Sequence, residues 1–309
     1  MKRVLVTGGT GFLGGHLLSA LVRDGVEAHA VVRPSASNSP ALLRGVQWHP
    51  ADLLDAGSLA RALDAARPDV VFHLAAYGTT GAQTDEDRMF RVNVEGTKTL
   101  WQALGSHACR VVQTGTCAEY GRVSGPIGEG QRCQPLSWYP ATIHAGVTIS
   151  MARAAEAGRE LVVLRPFGPY GSNDRPERLI PYVIGQLLAG GRAQISRGDQ
   201  VRDYSHVDDH VRAMRRAAEA ALPAPVVVYN VGSGRPVRVR ELVETIAREI
   251  GGGADTRIEF GDRPLAAYES PEMYADVTAA TRDLEYVASI GLVDGLRQTI
   301  ASYREARVR

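Results

Sequence analysis

The stretch Thr7-Gly8-Gly9-Thr10-Gly11-Phe12-Leu13-Gly14 comes directly after Arg3-Val4-Leu5-Val6 and opens a segment of helical length over residues 12–24. A short apolar run that ends in spaced glycines and then turns helical is a strand–turn–helix unit. Gly8 lets the chain turn sharply, Gly11 lets backbone amides approach a ligand, and Gly14 lets helix and strand pack closely. The helix start adds unpaired N–H groups and partial positive charge, which suits a pyrophosphate. The pattern assigns Gly8, Thr10, Gly11, Phe12 and Leu13 to a dinucleotide site.

Outward from this unit, apolar runs at residues 28–32, 46–49, 70–74, 110–114 and 161–164 join residues 3–6 as strand candidates. Segments of helical length lie between them at 58–66, 85–104 and 141–157. Each strand run is apolar over most of its length, as a strand buried on both faces must be. Alternation of this kind needs crossover connections, and hence a parallel sheet. The expected fold class is α/β, a Rossmann-like doubly wound parallel sheet with a smaller C-terminal substrate-binding domain.

After Pro166 the rhythm changes. Residues 167–176 are rich in Gly, Pro, Ser and Asn and read as a loop leaving the sheet. Helices are expected at 181–189, 238–250 and 294–305, and short strands at 201–205 and 226–230. Gly251–Gly253 reads as a helix stop. The expected division gives residues 1–167 to the dinucleotide-binding domain, with 203–232 returning to it. Residues 168–202 and 233–309 form the substrate-binding domain.

The end of the second strand speaks to cofactor choice. A site selective for NAD usually places Asp or Glu there to hold the ribose 2′-hydroxyl. Here the chain reads Val31-Val32-Arg33-Pro34-Ser35. Arg33 offers two donors to a 2′-phosphate and Ser35 a hydroxyl, so NADP(H) is expected over NAD(H). Asp52, followed by Leu53 at the end of the third strand, is placed to accept from an adenine amino group.

Composition removes other classes of function. A net charge of +1 supplies no global field for nucleic acid or anionic membrane. Cys109, Cys117 and Cys133 show no C-x-x-C spacing, which argues for a reducing compartment and against structural zinc. No apolar stretch approaches the ~20 residues of a membrane span, and the run before the glycines is too short for a signal peptide. A cytoplasmic protein is expected, with no metal.

Several further motifs act together. They are His73-Leu74-Ala75-Ala76, Asn93-Val94-Glu95-Gly96-Thr97, Thr114-Gly115-Thr116-Cys117-Ala118-Glu119-Tyr120-Gly121, Arg165-Pro166-Phe167-Gly168-Pro169-Tyr170-Gly171, and Arg202-Asp203-Tyr204-Ser205-His206-Val207-Asp208-Asp209. With the glycine loop, they make the chain resemble the extended short-chain dehydrogenase/reductase family, in its nucleotide-sugar epimerase and reductase branch, over essentially the whole length. The resemblance implies cofactor contacts at Leu74, Ala75, Ala76, Asn93, Thr114, Tyr139 and Pro166. It implies substrate contacts at Thr116, Cys117 and Arg202, the last as a clamp on a diphosphate. Arg175, Arg178 and Arg192 lie in the segment that covers the nucleotide. It also implies a homodimer through the helices at 85–104 and 141–157.

The reactive groups of the family are a Ser or Thr, a Tyr, and a Lys four residues after that Tyr. Thr116 and Tyr139 match; Ile143 stands where the Lys is expected. His144 lies about 100° round a helix from that position and is no automatic substitute. The phenol alone suffices as a proton donor to a ketone, whereas alcohol oxidation needs it ionised and gains most from a cation. Losing the Lys therefore favours reduction.

Dehydratases of the branch carry T-D-E-x-Y, and here Cys117 and Ala118 take the carboxyl positions, with Glu119 one place late. The leading expectation is an NADPH-dependent reductase of a nucleotide-linked 4-keto-sugar. The alternatives are a sugar-nucleotide 4-epimerase holding NAD, a catalytically weakened sugar-nucleotide-binding protein, and a reductase of a non-sugar carbonyl.

Overall fold

The structure is a computed structural model, and it describes residues 1–36, 43–261 and 269–308. Seven strands form its main sheet: β1 (Arg3–Thr7), β2 (Glu27–Val32), β3 (Val46–Pro50), β4 (Val70–His73), β5 (Arg110–Thr114), β6 (Leu161–Pro166) and β7 (Val226–Val231). They are parallel throughout, in the order β7-β6-β5-β4-β1-β2-β3. The chain winds outward from β1 to β3 and then crosses back to lay β4 against the other edge of β1. That reversal opens a crevice beyond the carboxyl ends of β1 and β4, where doubly wound sheets bind their ligands.

Both faces of the sheet are buried. One cluster packs Val4, Val6, Phe72, Val112 and Val162 under helices Phe12–Arg23 and Val207–Glu219. The other packs Leu5, Val71, Val111 and Val163 under Ala56–Ala66, Gly96–Leu104 and Trp138–Ala157. Burying each such side chain contributes about 1.5–3 kcal/mol. A third cluster lies away from the sheet and joins Val183, Ile184, Leu242, Ile246, Leu296 and Ile300 from helices Leu179–Leu188, Val239–Ile250 and Leu292–Val308. Among the described residues no helix is long and apolar enough to cross a membrane.

Three expectations need correction. The helix expected at 85–104 is broken: Glu86–Phe90 and Gly96–Leu104 flank a π turn over Arg91–Glu95, closed by the Gly96 N–H on the Arg91 carbonyl. The strand expected at 201–205 is two, Val201–Asp203 and Ser205–His206, which enter different sheets. The helix Val207–Glu219, with Val207, Val211, Met214 and Ala218 on its buried side, was not anticipated.

The crevice is braced from below by a chain of buried hydrogen bonds. Thr7 Oγ1 meets His73 Nδ1 at 2.7 Å, His73 Nε2 meets Thr97 Oγ1 at 3.0 Å, and Thr97 Oγ1 donates to the Asn93 carbonyl at 2.7 Å. These bonds tie the ends of β1 and β4 to the π turn. Burial pulls the His73 imidazole down to about 4 from its ordinary 6.5, so the ring is neutral at pH 7. Replacing His73 by Phe strands the Thr7 hydroxyl, leaves Thr97 with its Asn93 bond alone, and should cost about 1–3 kcal/mol, read by urea unfolding. The neutral ring is fully favourable above pH 6.5, and its contribution falls as pH drops toward 4. The stability gap between parent and His73→Phe should narrow across that window; a constant gap from pH 7 to 4 contradicts the assignment.

Candidate active site

The glycine loop crosses the mouth of the crevice. Gly8 adopts φ +76°, and a Cβ there would lie 2.6 Å from the Ala75 N atom, so the loop sits directly on Leu74–Ala75. A Cβ on Gly14 would come within 2.2 Å of the Gly8 carbonyl oxygen, which fixes the helix against the turn. Gly11 is the N-cap of Phe12–Arg23, with no side-chain cap and no acidic residue in the first turn. A Cβ on Gly11 would meet only the Gly8 oxygen within 4 Å. Open space above an uncapped, positively polarised helix start fits a pyrophosphate, held by the backbone from Thr10 to Leu13.

The remaining cofactor candidates fall on the same rim. Arg33 and Ser35 are exposed just beyond β2, the latter in the turn Pro34–Ala36. Asp52 is exposed beyond β3, with Oδ1 accepting from the Leu54 N–H at 2.9 Å, and Leu53 packs against the core. Leu74, Ala75, Ala76, Thr114 and Pro166 line the ends of β4, β5 and β6, all partly exposed. Asn93 behaves differently. Its Oδ1 accepts from the Tyr77 N–H at 2.8 Å, and its Nδ2 donates to the Tyr77 carbonyl at 2.8 Å and to Thr142 Oγ1 at 3.0 Å. It staples the loop after β4 to the Tyr139 helix.

The candidate hydroxyls, Thr116 and Tyr139, meet just beyond the end of β5. Thr116 caps the short turn Cys117–Tyr120, its hydroxyl accepting from the Ala118 N–H at 3.3 Å. Tyr139 lies in the first turn of Trp138–Ala157, a helix that begins three residues earlier than the pattern suggested. Burial pushes the Tyr139 phenol up to about 12; the Arg178 charge and a hydrogen bond with Thr116 pull the other way. Ile143 is buried among Leu5, Val71, Val111 and Val163, and puts only hydrocarbon where an ammonium was expected.

Glu119, one place beyond the dehydratase positions, is fully buried. Its Oε1 accepts the Thr116 N–H at 2.8 Å. Its Oε2 accepts from Arg165 Nη2 at 3.0 Å, Arg165 Nε at 3.3 Å and His144 Nδ1 at 2.9 Å. Arg165 continues to Tyr120 Oη at 3.0 Å, and Tyr120 donates to Asn230 Oδ1 at 2.7 Å. Glu119, Cys133 and His144 bring ligand atoms within 4.8 Å of one another. Both carboxylate oxygens are already engaged by Thr116, Arg165 and His144, which makes Glu119 a hydrogen-bond junction. Sequence reasoning missed this cluster; its local signals were the Thr116-x-x-Glu119 capping box and Gly115, where a Cβ would lie 2.3 Å from Glu119 Oε1.

On the substrate side, Arg202 is half-buried, donates from Nη1 to the Val201 carbonyl at 2.8 Å, and acts electrostatically on Cys117, whose thiol burial raises to about 11. Arg178 pairs with buried Asp174 at 3.4 Å and acts on Tyr139, Cys117 and Tyr204. Arg192 is exposed and paired with Glu259. Asp203 accepts from the N–H groups of Ser233, Gly234 and Ala275, at 2.8, 2.9 and 3.2 Å, and so clamps the loop after β7. His206 caps Val207–Glu219, and His210 meets Ser205 Oγ at 2.7 Å. The Arg202–Asp209 motif is thus mainly a structural junction.

The profile of the NAD dependent epimerase/dehydratase family matches residues 4–232. The chain belongs to that family. As a member it is an NAD(P)-dependent enzyme of the oxidoreductase type, carrying the family's doubly wound α/β fold. It is 31% identical to a dTDP-glucose 4,6-dehydratase of Streptomyces griseus, across 98% of this chain and 94% of that one. Among solved structures it is similar to the UDP-glucose 4-epimerase of Thermotoga maritima in complex with UDP-glucose. That match has a TM-score of 0.90 and 26% identity over 98% of this chain and 99% of the other. It is also similar to MoeE5 in complex with UDP-glucuronic acid and NAD, with a TM-score of 0.88 and 32% identity over 98% and 99% of the two chains.

The Glu119 junction makes a coupled prediction. Glu119→Ala leaves the Arg165 cation buried without its partner and should cost about 3–5 kcal/mol in chemical denaturation. Gly115→Ala should destabilise the parent through its clash with Oε1, but much less in the Glu119→Ala background, where the clashing atom is gone. Equal costs of Gly115→Ala in both backgrounds would rule out the contact.

Proposed function

We infer that this family member oxidises and re-reduces a carbinol carbon of a nucleoside-diphosphate sugar with bound NAD, as a 4-epimerase does. The observation that carries the reading is the pairing of Thr116 and Tyr139 at the crevice, beside a turn whose next two positions are Cys117 and Ala118. Without carboxyl groups there, nothing on the turn can eliminate water, and Glu119 is committed to Arg165, His144 and the Thr116 N–H. Similarity to proteins solved with UDP-glucose, or with UDP-glucuronic acid and NAD, supports both the substrate class and NAD.

The backbone from Thr10 to Leu13 would hold NAD, which when bound would supply hydride-acceptor and hydride-donor chemistry. Tyr139 takes the proton from the sugar hydroxyl in the first half and returns it to the ketone oxygen in the second. Thr116 shares that oxygen and holds it over the phenol. Arg202 and Arg178 are the guanidinium groups on the substrate side, suited to diphosphate oxygens.

A second reading, the NADPH-dependent reduction of a 4-keto-sugar, is favoured by Arg33 at the end of β2 and by Ile143. One assay separates the two. UDP-glucose and dTDP-glucose, incubated with NAD-loaded protein, should yield their 4-epimers with no net change in nicotinamide absorbance. Stoichiometric loss of NADPH with a 4-keto-sugar, and no epimer from either hexose, would establish the reductase instead.

The high phenol value gives the pH dependence a sign. The oxidising half needs the phenolate, so its rate should climb from neutral toward the alkaline range, and Arg178→Gln should move that limb to still higher pH. A single-turnover oxidation rate that is flat from pH 7 to 10 contradicts Tyr139 as the base.

A homodimer is proposed through the helices that carry Phe90 and Trp138, whose side chains are 46% and 51% exposed. Light scattering should give twice the chain mass, and the double change Phe90→Glu, Trp138→Glu should halve it. A monomeric parent removes the dimer.

A further inference from the structure

Thr116 and Tyr139 sit on different elements, 23 residues apart, and catalysis on the reading above needs both hydroxyls on one substrate oxygen. Ile143 gives the Tyr139 helix only packing against the sheet. The helix is held by side chains on two flanks. Thr142 accepts from Asn93 at 3.0 Å, and two residues on, about 200° round the helix, His144 donates from Nδ1 to Glu119 Oε2 at 2.9 Å. Glu119 Oε1 in turn receives the Thr116 N–H at 2.8 Å. A single carboxylate therefore bridges the Tyr139 helix and the Thr116 turn.

We propose that His144 is a positioning residue for catalysis, setting the Thr116–Tyr139 geometry through Glu119. Three observations favour this role over simple packing. The imidazole is 35% exposed and belongs to none of the hydrophobic clusters, so its packing alone explains little. Glu119 keeps Arg165 and the Thr116 N–H when His144 is removed, so the buried charge stays paired. The bond joins the two elements that carry the reacting hydroxyls, close to both. Misplacement of reacting groups by about 1 Å can cost ~100-fold in rate, far more than one surplus bond contributes to folding.

The inference rests on the Thr116/Tyr139 reading, so Tyr139→Phe is assayed beside the His144 variants on the NAD-loaded full chain with UDP-glucose and dTDP-glucose. His144→Leu should lower kcat at least about tenfold, with KM and Tm close to parental values. His144→Asn keeps a donor near the Nδ1 position and should recover most of the loss. Should His144→Leu not fold, His144→Ala makes the same comparison. Parental kcat in a folded Leu or Ala variant overturns the proposal, as does a kcat loss that Asn does not rescue. Failure of both variants to fold overturns it too, because the residue is then structural. If Tyr139→Phe itself turns over normally, the catalytic reading falls; if only the His144 variants do, that reading stands and this proposal falls.

Discussion

A carboxylate with no access to water joins the Thr116 turn to the Tyr139 helix, and its four hydrogen bonds reach three separate parts of the fold. Glu119 is tied to the Thr116 turn after β5, to Arg165 on β6 and to His144 on the helix that carries Tyr139. Burying a carboxylate is tolerable only when a cation and further donors answer it, and here Arg165, itself nearly buried, does so. Having met that requirement, the chain gains a rigid joint at the point where two hydroxyls must converge. On the other side of the crevice, the Thr7–His73–Thr97 chain does the corresponding work for the cofactor end with neutral groups.

These two buried polar systems divide the labour of the crevice. The neutral one fixes the ends of β1 and β4, and with them the glycine loop that leaves a helix start uncapped and facing open space. The charged one fixes the end of β5 and the start of Trp138–Ala157. Asn93 connects them, because it sits in the π turn that receives Thr97 and also donates to Thr142 on the Tyr139 helix. The irregular π turn thus has a structural use: it brings one side chain into register with two elements at once. π turns inside longer helices commonly mark such functional positions.

Much of this was legible in the sequence, for identifiable reasons. Five of the strand runs were readable because strands buried on both faces are mostly apolar, β3 being a partly exposed edge strand, and the glycine loop because a close-packed turn tolerates only glycine at Gly8 and Gly14. Thr116 and Tyr139 stood out by motif. Elements beyond β6 were less legible. Strands such as Pro126–Ile127 and Glu272–Ala275 are too short for a period to show, and the start of Val207–Glu219 fell inside a motif read for its family resemblance. Of the Glu119 junction only the Thr116-x-x-Glu119 capping box and Gly115 leave a local trace. His144 and Arg165 lie 25 and 46 residues from Glu119, and no local pattern announces a long-range charge pair.

The most direct test is a crystal structure of the protein with NAD and a nucleoside-diphosphate hexose bound together. The account predicts Tyr139 Oη and Thr116 Oγ1 both within about 3 Å of one sugar hydroxyl oxygen, with the carbon bearing it facing the nicotinamide. A sugar ring bound with that oxygen turned away from Tyr139, or a nicotinamide lying elsewhere than beside the pair, would contradict it.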